Sequence, residues 1–209
     1  MKLFKARPSS LGKLMSKSKK QGELSQTCIT YLKEWYSEDK EEITSKYFTK
    51  GILLENEAIE FASKVLYGGI KAYKNEDIYS NEWLVGTPDV ILENSIIDTK
   101  CAWNRKTLLD SALELNTDYE WQLRAYLFLC NKEYATLFYY LGDTPAAANY
   151  GTKVIYSHLE DFERWVSYEF KRDLDKEQEI IEKVEQCREW LKNYDAEIQA
   201  RIGTRIITL

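Results

Sequence analysis

Histidine, proline and cysteine are scarce in this sequence, and each scarcity narrows the chemistry open to it. A single histidine, His158, weakens a reading as a histidine-based triad and leaves no histidine-rich zinc site to build. The four cysteines (Cys28, Cys101, Cys130, Cys187) stand far apart with no CxxC pair, a spacing that suits neither a zinc knuckle nor an iron–sulfur cluster. Dispersed cysteines of this kind usually serve as small buried hydrophobes. Pro8, Pro88 and Pro145 mark no long linker, and no repeat or low-complexity tract divides the chain. No apolar run approaches the ~18 residues of a membrane-spanning helix. The stretch from Met1 to Lys20 is basic but has neither a continuous apolar segment nor a small-residue cleavage site. A secretory signal is therefore not expected, and the cytoplasm is the expected compartment.

What is present suits a globular protein. The 209 residues are 44% hydrophobic and 30% charged, enough for one domain with a core of its own. The net charge of −5 opposes a surface that binds nucleic acid all over, but the charge is unevenly placed. Residues 1–22 carry seven basic side chains and no acid, whereas residues 160–199 carry thirteen acids against seven bases. A local basic arm can grip phosphate while the remainder stays acidic; a solvated terminus is the plain alternative.

Periodicity gives the elements. Residues 9–20 and 24–36 read as helices, the second with Cys28, Ile29, Leu32 and Trp35 at helical spacing. After Gly51 the stripe Leu54, Ala58, Phe61, Ala62 and Val65 predicts an amphipathic helix that ends at Gly68-Gly69. The period then changes. Residues 83–85, 89–92 and 95–101 form short β-type runs, read as an antiparallel meander. Thr117 and Glu120 match a capping box for a helix to about Cys130. Residues 135–141 read as a strand covered on both faces, 153–156 as another strand, and 160–200 as a long helical tract broken near Asp173. The expected class is α/β (α+β): a central mixed sheet flanked by helices, with a long C-terminal helix. One domain is expected over 1–209, with a basic helical region at 1–50, a core at 51–158 and a helical tract at 159–209.

The chemistry concentrates in Gly86-Thr87-Pro88-Asp89-Val90-Ile91 and Ile96-Ile97-Asp98-Thr99-Lys100. Residues two apart on a strand share a face, so Asp98 and Lys100 project together. A short turn brings Asp89 onto the neighbouring strand. Two carboxylates and an ammonium at one spot suit Mg²⁺ beside a phosphodiester, the lysine attending the attacking water. A surface hairpin with an ordinary salt bridge is the bland reading. Glu55 lies at the margin of the apolar stripe, beside Ile59, Ala62 and Leu66; it either reaches a cation or sits exposed at a helix start. Gln122 and Tyr126, four apart on one helical face, either border a cleft or pack inside.

The order of these elements carries a resemblance. "KGILLENEAIEF" (50–61), "GTPDVI" (86–91), "IIDTK" (96–100) and "WQLRAY" (121–126) resemble the successive motifs of PD-(D/E)XK nucleases of the RecB, YqaJ and lambda-exonuclease type, over roughly residues 50–140. The middle and Asp143-Thr144-Pro145 look like small phage or prophage nuclease proteins. The resemblance implies a restriction-endonuclease-like core. It implies that Asp89, Asp98, Glu55 and the Thr99 carbonyl hold Mg²⁺ or Mn²⁺, that Lys100 attends the water, and that Gln122 and Tyr126 support the site. It also implies a basic Arg/Ser region that holds a DNA 5′ phosphate, here Arg7, Ser9, Ser10 and Lys13, although helix capping by Ser9 or Ser10 is the simpler alternative. Trp103, Asn104 and Arg105 are expected in a loop over the cleft, with Arg105 near phosphate. The implied function is a Mg²⁺-dependent DNA exonuclease acting at duplex ends in phage-type recombination or replication, in a bacterial host's cytoplasm. No iron–sulfur cluster and no membrane contact are expected. A trimer and a single-strand annealing partner follow by analogy alone. The alternatives are a structure-specific endonuclease of the same fold and an inactive nucleic-acid-binding protein.

Overall fold

In the computed structural model, residues 2–38 and 45–203 are described; Met1, 39–44 and 204–209, over which the one-domain expectation also runs, lie outside them. A four-stranded mixed sheet in the order β3-β4-β5-β6 organises the chain. It is built from β3 (Val90–Ile91), β4 (Ser95–Cys101), β5 (Tyr134–Tyr140) and β6 (Trp165–Lys171). β4 and β5 run parallel, with Asp98 beside Leu137 and Lys100 beside Tyr139; the outer pairs are antiparallel. β5 is buried along nearly its whole length, as a central strand covered on both faces must be.

Each sheet face has its own apolar layer. On one face α3 (Lys46–Leu66) lays Ala58, Phe61 and Ala62 on Ile97, Phe138 and Tyr140. On the other, α5 (Thr117–Cys130) lays Leu123, Ala125 and Leu127 on Ile96, Leu137 and Tyr139. Outside α5 lie α1 (Leu11–Met15), α2 (Gln26–Ser37) and the 28-residue α6 (Leu174–Arg201), which close the larger core around Leu14, Cys28, Leu32, Ile180 and Leu191. The thiols of Cys28 and Cys187 face each other inside it, Sγ to Sγ 3.7 Å.

Several expectations are corrected. The helix expected over 9–20 is a single 3₁₀ turn at Pro8–Ser10 followed by the five-residue α1; Ser16 turns extended (ψ 139°) and ends it. α3 starts before Gly51, because the Ser45 hydroxyl accepts the Phe48 amide and caps it there. The three-strand meander does not form. β2 (Val85–Gly86) pairs instead with β1 (Tyr79–Ser80), and Leu84 bridges to Ala6, so only β3 and β4 make the expected hairpin. Asn116 caps α5 in place of Thr117, and Glu120 turns to Arg124 (3.1 Å) instead of closing a capping box. The strand expected at 153–156 is reduced to one bridge, Thr144 to Val154. The tract from 160 contains β6 before Asp173, and Asp173 then caps α6 with its carboxylate on the Asp175 and Lys176 amides. Of Trp103, Asn104 and Arg105, expected in a loop, Asn104 caps and Arg105 opens a helix, α4 (Arg105–Leu113).

Candidate active site

The hairpin of β3 and β4 brings the two aspartates together. The Asp98 side chain points to the α5 face and is fully buried. Its Oδ1 accepts a hydrogen bond from Gln122 Nε2 at 2.8 Å, and Lys100 forms an ion pair at Oδ2. The buried carboxylate thus has the Gln122 amide at one oxygen and the Lys100 ammonium at the other. Burial pushes the Asp98 carboxyl up to about 7; Asp89 and Glu55 add to the rise, and Lys100 opposes it. Lys100 itself is pulled down by burial, but Asp98 and Asp89 outweigh this and leave it above the ordinary lysine value. It is therefore a firmly protonated ammonium, and it lies 4.9 Å over the ring of Tyr119.

Asp89, just outside β3, accepts from the Thr99 amide (2.8 Å) and the Thr99 hydroxyl (3.0 Å) through one oxygen, Oδ2. Glu55 stands half-buried on α3, where Lys74 meets its Oε2 at 2.8 Å. Lys74 comes from the irregular stretch after α3, where neither period nor motif marks it. Gln122 is buried, as a residue holding an inward carboxylate must be. Tyr126 donates to the Thr87 carbonyl at 3.0 Å and so fixes the loop that carries Pro88 and Asp89. Tyr119, Gln122 and Tyr126, on successive turns of α5, thus meet Lys100, Asp98 and the 86–89 loop in turn.

The metal ligand set drawn from the resemblance is not gathered as a cluster. Among the described residues no three histidine, cysteine, aspartate or glutamate side chains converge to hold an ion. Asp89, Asp98 and Glu55 are neighbours whose charges act on one another, but each is engaged by a donor of its own. The donor chemistry nevertheless fits a hard divalent cation: oxygen groups from neighbouring carboxylates, and an Asp98 carboxyl raised by burial and in part by Asp89 and Glu55, which positive charge would bring down.

The expected phosphate-binding residues divide. Pro8 packs against Gly86, where an added Cβ would lie 2.8 Å from Pro8 Cδ and 3.4 Å from Tyr126. That places Arg7 and Ser9, both exposed, and Ser10 beside the catalytic loop. Lys13 is also exposed, but its ammonium lies 5.7 Å over the Tyr31 ring. Arg105 is not in a loop over the cleft. It opens α4 and is paired with Glu163 at 2.7 Å, which ties it to the segment before β6.

Two hollows flank the sheet. The larger, about 700 Å³, lies beyond α3 against Phe61, Tyr140 and Arg164 and includes none of Asp89, Asp98 or Lys100. The second, about 520 Å³, opens beside Lys100. One further lysine, Lys50 on α3, is buried and donates to the carbonyls of Ala102 (2.8 Å) and Trp103 (3.0 Å), where the chain leaves β4. Burial brings its pKa down to about 8.

Solved structures share this fold. A phage-related exonuclease from Haemophilus somnus 129PT superposes with a TM-score of 0.81 at 24% identity, covering 94% of this chain and 97% of its own. An alkaline exonuclease from Laribacter hongkongensis (LHK-Exo) gives 0.69 at 15% identity over 95% and 93% of the two chains, and its complex with dAMP gives 0.70 at 16%. No family model and no curated protein matches the sequence. The chain thus has the fold of the phage-related and alkaline exonucleases, the core that its four ordered motifs predict. No helix among the described residues is long and apolar enough to cross a membrane.

Proposed function

We propose that the chain is a divalent-metal-dependent DNA exonuclease that acts at duplex ends, with its chemistry at Asp89, Asp98 and Lys100. One observation carries the reading: Asp98 and Lys100 project side by side from β4, next to Asp89, with the buried Asp98 carboxylate held by Gln122 at one oxygen and by the Lys100 ammonium at the other. Asp89 and Glu55 add negative charge at the same spot, which a divalent cation would offset. The Laribacter alkaline exonuclease has been solved in complex with dAMP, and a mononucleotide product agrees with that complex.

Asp89, Asp98, Glu55 and the Thr99 carbonyl would hold Mg²⁺ or Mn²⁺, Glu55 exchanging Lys74 for the ion. When bound, the ion would polarise the scissile phosphate and acidify a water. Gln122 holds Asp98 in one rotamer, and Thr99 does the same for Asp89. Lys100, beside Asp98, would meet the attacking water or the phosphate and offset charge in the transition state. Arg7, Ser9 and Ser10, next to the loop that Tyr126 anchors, suit the phosphate at a strand end. Phage-type recombination or replication in a host cytoplasm and a ring-forming assembly belong to the same proposal and rest on the resemblance.

The test uses end-labelled linear duplex and closed circular DNA, with Mg²⁺ or with EDTA. Release of mononucleotides from the linear substrate alone, lost with EDTA and with Lys100→Ala, is expected. An intact linear substrate, or a Lys100→Ala protein as active as wild type, rejects the assignment. Nicked circles would replace it with an endonuclease of the same fold.

A further inference from the structure

We infer that the hollow beside Lys100 is a nucleoside subsite: it receives the base and sugar attached to the scissile phosphate, with Tyr119 as the stacking residue. The inference rests on the nuclease reading of the neighbouring carboxylates and adds to it a binding site, a ligand class and a specificity residue.

The hollow lies between the end of β4, α4 and the first turn of α5, and its volume of about 520 Å³ falls within the roughly 300–1,000 Å³ of sites built for small organic groups. Its lining is graded in charge. Lys100 is its only cation and stands at the catalytic end, where it also touches Asp98. Glu114 and Asp110, the latter paired with Lys106 at 2.6 Å, are at the α4 side, where the described lining residues offer no cation for a second phosphate. Between the two ends lie neutral hydrogen-bonding groups, Thr107, Ser111 and Thr117, and two phenol rings, Tyr119 and Tyr139. The rings meet edge to face at 6.1 Å. A ligand that fits is anionic at one end only, flat and apolar on its faces, and polar at its edges. A nucleoside with its phosphate at Lys100 has that pattern.

Tyr119 fits the role for a second reason. It precedes Gln122 by one helical turn, so the element that fixes Asp98 also fixes this ring. The ring is half-buried and carries the Lys100 ammonium over it at 4.9 Å. A base that stacks along Tyr119 therefore places its phosphate next to Lys100 and Asp98. Base–aromatic stacking tolerates any sequence, as an end-degrading nuclease requires.

The experiment combines a substrate series with a variant series. Duplexes carry a single abasic residue at each of the first few positions of the degraded strand, and kcat/KM is measured with Mg²⁺ for wild type, Tyr119→Phe, Tyr119→Ala and Ser111→Phe. The last variant fills the hollow from α4 and guards against misfolding of Tyr119→Ala. For wild type, an abasic residue at one position lowers kcat/KM by about 10-fold, the scale of one lost stack. Tyr119→Ala and Ser111→Phe lose about the same factor on intact DNA and no more on that abasic duplex, because each removes one shared interaction. Tyr119→Phe, which keeps the ring, retains the abasic sensitivity that Tyr119→Ala loses. If the abasic and side-chain losses multiply, or if no abasic position matters, the subsite is wrong while the nuclease assignment stands. If wild type cleaves none of the duplexes, the assignment itself has failed.

Discussion

At the scale of single residues, Asp98 concentrates the demands of the site. It is fully buried, its carboxyl is pushed up to about 7, and its two oxygens rest on Gln122 and Lys100. Gln122→Leu keeps the side chain's bulk and deletes that donor. It should cost about 1–3 kcal/mol in a urea melt, the cost of stranding a buried acceptor, and should lower kcat more than it raises KM. Asp98→Asn should retain the fold and lose at least ~100-fold in metal-dependent cleavage. Lys50 poses a different problem, a buried ammonium whose hydrogen-bond partners are two carbonyls. Its pKa is about 8 in the fold, below the 10.5 of an exposed lysine. Between those values the unfolded chain holds a proton that the folded one has released, so stability attributable to Lys50 rises with pH across that window. Wild type should gain on Lys50→Met by up to about 3 kcal/mol between pH 8 and 10.5, read from paired denaturant melts; a flat difference would show that Lys50 does not titrate in the fold.

At the scale of elements, the close fit between the Pro8 turn and the loop before β3 matters most. Gly86 has no room for a side chain, since a Cβ would lie 2.8 Å from Pro8. Gly86→Ala should push the Pro8 turn away, cost about 1–3 kcal/mol, and raise KM for DNA ends with a smaller effect on kcat. Steady-state kinetics on duplexes with and without a terminal phosphate would show it, and the phosphorylated substrate should suffer more. The elements that could be read in advance were those with strong local signals: the stripe of α3, the Asp98/Lys100 alternation of β4, the apolar run of β5. Those that could not were decided elsewhere. β6 alternates apolar and polar residues (Val166-Ser167-Tyr168-Glu169-Phe170-Lys171), a strand signal too short to stand out at the head of a long charged tract, and its edge position leaves Glu169 and Lys171 exposed. α4 has no apolar face to announce it; only Leu108 is buried. Asn116 and Thr117 are both good caps, and backbone geometry chose the former. Lys74 and Lys50 reach the site from places where nothing in the local pattern distinguishes them from surface lysines.

At the scale of the whole molecule, the four-stranded sheet is held between two cores of unequal size, and the larger is completed by residues remote in sequence. Leu191 of α6 is fully buried in it with Leu32 of α2 and Leu14 of α1. Leu191→Ala should cost about 2–5 kcal/mol, the usual range for such a cavity, and should leave the metal requirement of the surviving activity unchanged. Thermal melts with and without Mg²⁺ would separate the two effects. The order Glu55, Asp89, Asp98, Lys100, Gln122, Tyr126 was legible because these residues come from one continuous third of the chain. The packing of α1, α2 and α6 was not, because no local period records which distant helix will cover a given stripe.

The meeting of Cys28 with Cys187 across that larger core has a consequence during synthesis. The helix bearing Cys28 emerges from the ribosome long before the one that seals it. Until α6 has been made, Cys28 and Leu32 lack part of their final cover. The larger core is therefore completed late in synthesis, after Asp89, Asp98 and Lys100 have already been translated.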